Sequence, residues 1–139
     1  MTASAPPFSF KLDPHSGVPV YRQIIDQVQA GLASGTLARG DQLPTVRQVA
    51  VDLEINPNTV LRAYRELEIR GVLDTQQGTG TFISERPVAE NDSERARKLE
   101  QLVGEVIARA GAGGFTLREV TDALQERLEG SPEPKKRTK

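Results

Sequence analysis

The chain has 139 residues, 37% hydrophobic and 27% charged, with a formal net charge of −1; this is the balance of a soluble globular domain with an appendage, too small for a deep ligand cavity beside a second function. It contains no cysteine, which excludes disulfides, thiolate metal sites and cysteine nucleophiles and fits a reducing cytoplasm. The start, MTASAPPFSF, lacks the basic and apolar regions of a secretory signal and no apolar run is long enough to span a bilayer, so a cytoplasmic protein without a membrane partner is expected.

Residues 8–12 alternate apolar and polar, which predicts a short half-buried strand, and residues 13–17 are turn material. Residues 1–17 are therefore an N-terminal strand and turn. From Val18 to Gly35, the residues Tyr21, Ile24, Ile25, Val28 and Leu32 recur at helical spacing, with Pro19 in the first turn and Gly35 near the end. Residues 40–42 read as another turn. Thr45 and Gln48 fit a capping box that opens a second helix, whose inner face is Val46, Val49, Ala50 and Leu53.

Asn56-Pro57 follows at once and signals a third helix, since asparagine caps and proline at the first position loses a donor that would be unpaired anyway. That helix buries Val60, Ala63, Tyr64 and Leu67 and stops at Gly71. Residues 72–75 and 81–83 are short β-like runs around a glycine-rich tip, a hairpin. Helix, helix, tight turn, helix and hairpin is the order of a winged helix-turn-helix, placed at 18–85.

A polar stretch with a proline sets a linker at 86–92. Over 93–130 two further helices are expected. The first carries Leu99, Leu102, Val103, Val106, Ile107 and Ala110 and breaks at the glycines of 111–114. The second opens on a Thr116–Glu119 capping box, flanked by Phe115 and Val120, and presents Leu117, Leu124 and Leu128. Residues 131–139 hold no apolar residue and end in KKRTK, a disordered basic tail by composition. The fold class is mainly α with a small β-wing.

The second helix of such a pair lies in the major groove with its N-terminal residues at base edges. Here these are Asn58, Thr59 and Arg62, with Arg65 one turn on: amide for adenine, hydroxyl or methyl for either base, guanidinium for guanine or phosphate. Arg47, in the first turn of the preceding helix, is placed for a phosphate. Gly78, Thr79 and Gly80 are small enough to bring wing backbone close to a minor groove. Each feature also has a plain reading: solvated arginines on an exposed helix face, and turn chemistry at the hairpin tip. Leu61 either meets a thymine methyl or packs.

These elements carry a resemblance. The blocks PVYRQIIDQVQAGLASGTLARGDQLPTVRQVA, NPNTVLRAYRELEIRGVL and GTGTF, between Val18 and Ile83, resemble the DNA-binding domain of the GntR family of bacterial regulators. The short two-helix tail resembles the YtrA-type subgroup, and the N-terminal strand fits it. The resemblance implies DNA contacts from Arg47, Thr59, Arg62 and the wing around Gly80, a C-terminal region that serves dimerisation, and repression as the sign of regulation. One departure stands out: wings of this kind commonly carry basic residues before the first glycine, whereas Thr75, Gln76 and Gln77 stand here. Fewer released counterions then mean weaker or less salt-dependent binding.

The expected partners are double-stranded DNA and a second copy of the chain, bound through C-terminal stripes too apolar to bury only each other; packing back onto the chain's own first domain is the alternative. A two-fold dimer reads an inverted repeat with half-sites about one helical turn apart. No effector site stands out. His15 is the single histidine, so one chain assembles no histidine metal cluster; Asp92 and Glu94 offer at most a weak cation site. No acidic pair has catalytic spacing, so neither enzyme activity nor a cofactor is expected. The competing function is a winged-helix protein-interaction module without operator binding.

Overall fold

A computed structural model of the chain describes residues 8–85 and 91–130, which form two compact units. In the first, α1 (Val20–Ser34) follows Pro19, which lies just outside the helix as its N-cap and not within its first turn. It ends at Gly35, whose N–H donates to the Leu32 carbonyl and whose φ of 84° is a left-handed conformation that suits glycine. The capping box of α2 (Val46–Leu53) forms as the sequence suggests. Thr45 Oγ1 accepts from the Gln48 N–H at 3.1 Å, and Gln48 Oε1 accepts from the Thr45 N–H at 3.1 Å. α3 (Pro57–Ile69) starts on Asn56, whose side chain accepts the Asn58 N–H at 2.8 Å.

The tight turn between α2 and α3 rests on Glu54, at φ 57° and ψ 47°; among the described residues no other non-glycine has a positive φ. The left-handed backbone turns the next N–H, that of Ile55, back to the Ala50 carbonyl at 3.0 Å and returns Ile55 to the core side. A side chain pays for that conformation, and glycine does not. Glu54→Gly is therefore expected to stabilise the protein by about 1 kcal/mol. A urea titration checks this: the midpoint should rise at unchanged slope, and a midpoint that stays or falls rejects it.

β1 (Gln42–Leu43), β2 (Leu73–Gln76) and β3 (Gly80–Ile83) form an antiparallel sheet in the order β1-β3-β2. Gln42 pairs with Phe82, Leu73 with Ile83, and Gln76 with Gly80. The turn expected at 40–42 lies at residues 38–41, closed by the Asp41 N–H donating to the Ala38 carbonyl at 3.1 Å, and β1 takes over at Gln42; a strand of two residues is too short for alternation to show. Residues 8–12, expected as a strand, pair with none among the described residues. Their alternation is real, since Phe10 is buried and Phe8 meets it edge-on at 5.1 Å. Their backbone, however, lies along α1, where Gln27 supplies the hydrogen bonds: Lys11 N–H donates to Gln27 Oε1 at 3.0 Å, and Gln27 Nε2 donates to the Lys11 carbonyl at 2.6 Å. Side-chain amides satisfy backbone groups that have no sheet edge to meet.

Ile24 and Val28 of α1, Val49 of α2, Val60 and Leu67 of α3 and Leu73 of β2 join in one core. Tyr64 is buried beside them, and its hydroxyl donates to the Pro44 carbonyl at 2.6 Å, fastening α3 to the segment that leads into α2. Burial pushes that phenol's pKa well above its ordinary value, so it stays a neutral donor.

In the second unit, α4 (Asp92–Ala112) begins where the linker was expected to end, with Asn91 Oδ1 accepting the Glu94 N–H at 2.7 Å. α5 (Leu117–Gly130) opens on its box: Glu119 Oε2 accepts the Thr116 N–H at 2.8 Å, and Thr116 Oγ1 accepts the Glu119 N–H at 3.1 Å. Neither helix contains a buried residue. The rest of the expected linker and the whole basic tail lie outside the described residues. Among those described, no helix is long and apolar enough to cross a membrane.

Candidate nucleic-acid interface

α3 has two faces. Val60, Ala63, Tyr64 and Leu67 are buried, and Asn58, Leu61, Arg62 and Arg65 lie together on the outer side. Asn58, Arg62 and Arg65 are exposed, Leu61 is half-buried, and Leu61 stands apart from the residues packed on the core. Thr59 is half-buried in the first turn, with its N–H donating to the Asn56 carbonyl at 3.0 Å. Two ties hold the helix in place. Tyr64 binds the Pro44 carbonyl, and Arg70, just past its end, donates to Gln29 Oε1 on α1 at 2.9 Å while pairing locally with Glu66 of α3 at 3.1 Å.

The guanidinium of Arg62 lies over the ring of Tyr21 on α1, with Cζ 3.8 Å from the ring centroid. Sequence reasoning placed Tyr21 only on the apolar stripe of α1. An aromatic and an arginine 41 positions apart in the chain carry no local signal of meeting, so this contact is visible only in three dimensions.

Arg47 sits at the second position of α2 and is exposed. Its neighbour Gln48 has its N–H engaged by Thr45, while the first N–H groups of any helix lack intrahelical acceptors. Among the described residues, neither Arg47 nor Arg65 makes an ion pair. Their charges are available to solvent or to a ligand.

The hairpin tip closes with the Thr79 N–H donating to the Gln76 carbonyl at 3.0 Å. Gly78, at φ 78°, has open space where a Cβ would stand. Gly80 is more confined: its φ is 135°, and a Cβ would lie 2.5 Å from Nε2 of Gln42, which donates to the Thr79 carbonyl at 3.1 Å. The tip glycines thus have a conformational reason to be there, and β1 braces the tip through Gln42. Gln76 and Gln77 are exposed; Thr75 is exposed and its hydroxyl donates to Glu68 of α3. The structure brings Asn58, Arg62 and Arg65 onto one face, while Arg47 and the tip residues Gly78, Thr79 and Gly80 stand on separate elements of the same unit.

The remaining candidates are unremarkable. His15 is an exposed turn residue whose N–H donates to Asp13 Oδ1 at 3.0 Å. Asp92 and Glu94 lie in the first turn of α4, near the helix's positive end. No group of three or more histidines and acids suited to a metal ion occurs among the described residues.

The model of the gntR family of bacterial regulatory proteins matches residues 20–83, the whole span from α1 to β3. Over 116 residues the chain is 34% identical to the HTH-type transcriptional repressor YtrA of Bacillus subtilis, with 84% of this chain and 89% of that one covered. The chain belongs to the GntR family. This GntR-family chain also shares its fold with a transcriptional antiterminator from Listeria monocytogenes, at a TM-score of 0.67 and 26% identity, covering 92% of this chain and 98% of the other. YtrA from Sulfolobus acidocaldarius, a GntR-family transcription factor, superimposes with a TM-score of 0.54 at 30% identity over 74% of this chain and 97% of its own. Because these likenesses run past β3 into the helical pair, they place the chain with the YtrA-type regulators. As a GntR member it is a DNA-binding transcriptional regulator with a winged helix-turn-helix.

Proposed function

We propose that the protein is a sequence-specific repressor that binds an inverted-repeat operator as a homodimer. The observation that carries the reading is the outer face of α3, where Asn58, Arg62 and Arg65 stand exposed on a helix fastened by Tyr64 and Arg70. Set in a major groove, this face offers an amide and guanidinium groups to base edges, with Leu61 among them as an apolar contact. Thr59 adds a hydroxyl, Arg47 clamps a phosphate, and the tip at Gly78, Thr79 and Gly80 approaches a minor groove with backbone.

The second unit supports the dimer. Leu99, Leu102, Leu124 and Leu128 are all more than half exposed, and the helices that carry them bury nothing. An apolar surface of this kind marks an interaction site. A second copy related by a two-fold axis covers both stripes at once and doubles the base contacts. Repression follows the Bacillus subtilis relative, a transcriptional repressor: a dimer seated on a promoter excludes polymerase.

Selection from a pool of random duplexes, with sequencing of the retained DNA at moderate salt, tests this. An inverted repeat with half-sites about one helical turn apart is expected. Recovery of no motif by folded protein rejects operator binding and turns attention to a winged helix that docks on protein.

A further inference from the structure

Arg62 stands on the outer face of α3, yet its guanidinium does not extend freely into solvent. It is stacked on the Tyr21 ring at 3.8 Å from the centroid. Tyr21 is itself half-buried and packs against the core from α1. Its ring is therefore a fixed platform, held by the same interior that holds α3. A stacked guanidinium keeps its in-plane N–H donors free, because the ring occupies only one of its flat faces.

We propose that Tyr21 is a positioning residue for DNA recognition: its ring holds the Arg62 guanidinium in the orientation α3 presents to DNA. This rests on the DNA-binding reading above. An arginine on a flexible stem loses rotamer freedom when it engages a base or a phosphate. Stacking on Tyr21 removes part of that freedom before DNA arrives and directs the donor edge. In the neighbourhood of the pair, Arg65 repels the same guanidinium and Glu66 lies a turn away on the same face. Glu66 pairs with Arg70 and not with Arg62, so among the described residues the ring is the contact that orders the guanidinium.

The test uses the full chain and the operator recovered by selection. Tyr21→Leu should weaken operator binding roughly five- to a hundredfold, the cost of ordering one rotamer-rich side chain in each half-site, whereas Tyr21→Phe, which keeps the ring, should bind within about twofold of the wild type. In an Arg62→Ala background, Tyr21→Leu should cause no further loss. A merely structural role for Tyr21 predicts equal losses in both backgrounds, and that result overturns the proposal. So does a Tyr21→Phe loss as large as that of Tyr21→Leu, which assigns the effect to the hydroxyl. Unchanged or tighter binding by Tyr21→Leu also overturns it, the latter meaning that the ring holds Arg62 away from DNA. Wild-type protein that retains no operator fails the underlying function; wild-type binding with an unresponsive Tyr21→Leu fails the positioning role alone.

Discussion

Replacing Arg47 and Arg62 together by alanine is expected to abolish operator binding while the protein stays folded. Both side chains are exposed and neither belongs to the core. Surface substitutions of this kind usually change stability by less than about 0.5 kcal/mol, with up to about 1 kcal/mol more for the lost stack on Tyr21. A direct base contact is worth about 1–3 kcal/mol, and in a dimer each substitution acts twice. The double variant should therefore bind at least about a thousandfold more weakly.

The single variants should differ in kind. Arg62→Ala should relax preference at one position of each half-site; Arg47→Ala should weaken all sequences alike and flatten the salt dependence. Anisotropy titrations against the operator and single-base variants at several salt concentrations read both effects, with circular dichroism as the folding control. Binding within threefold of the wild type by a folded double variant would sink the assignment.

Leu102→Asp with Val106→Asp should break the dimer. These residues belong to the exposed stripe of α4, and no side chain of that helix is buried within the chain. Burying two carboxylates at the interface costs several kcal/mol each, so dissociation should strengthen by more than about a thousandfold. Sedimentation at micromolar concentration should show monomers, and operator affinity should fall with them, because one half-site supplies only half the contacts. The first unit should still melt cooperatively, since its core draws only on α1, α2, α3, the sheet and the N-terminal segment. A variant that remains dimeric places the interface elsewhere; a wild-type monomer at the same concentration rejects the dimer itself.

What could be read from sequence was whatever depends on near neighbours. The boxes at Thr45–Gln48 and Thr116–Glu119 close within four residues, and Asn56-Pro57 announces α3 for the same reason. The buried face of α3 follows from helical periodicity. The strand expected at residues 8–12 misled because alternation reports burial and not the backbone's partner, here the amide of Gln27. Glu54 gave no sign of its left-handed conformation, since glutamate is not a residue that favours it. Gly80 had a second reason, the amide of Gln42, that depends on a strand of only two residues. The stack of Arg62 on Tyr21 needed α1 and α3 to be packed first.

The coreless pair α4–α5 carries a consequence for the amount of regulator a cell keeps. A helical hairpin that buries none of its own side chains gains its stability from what covers it, and where that cover is another copy of the chain, mass action governs it. Newly made chains below a threshold copy number would leave the hairpin open to proteases and be turned over quickly. Above that threshold each chain shelters another, and lifetime lengthens with abundance. Gene dosage and promoter strength would then act steeply on the regulator's level, without any ligand, through turnover alone.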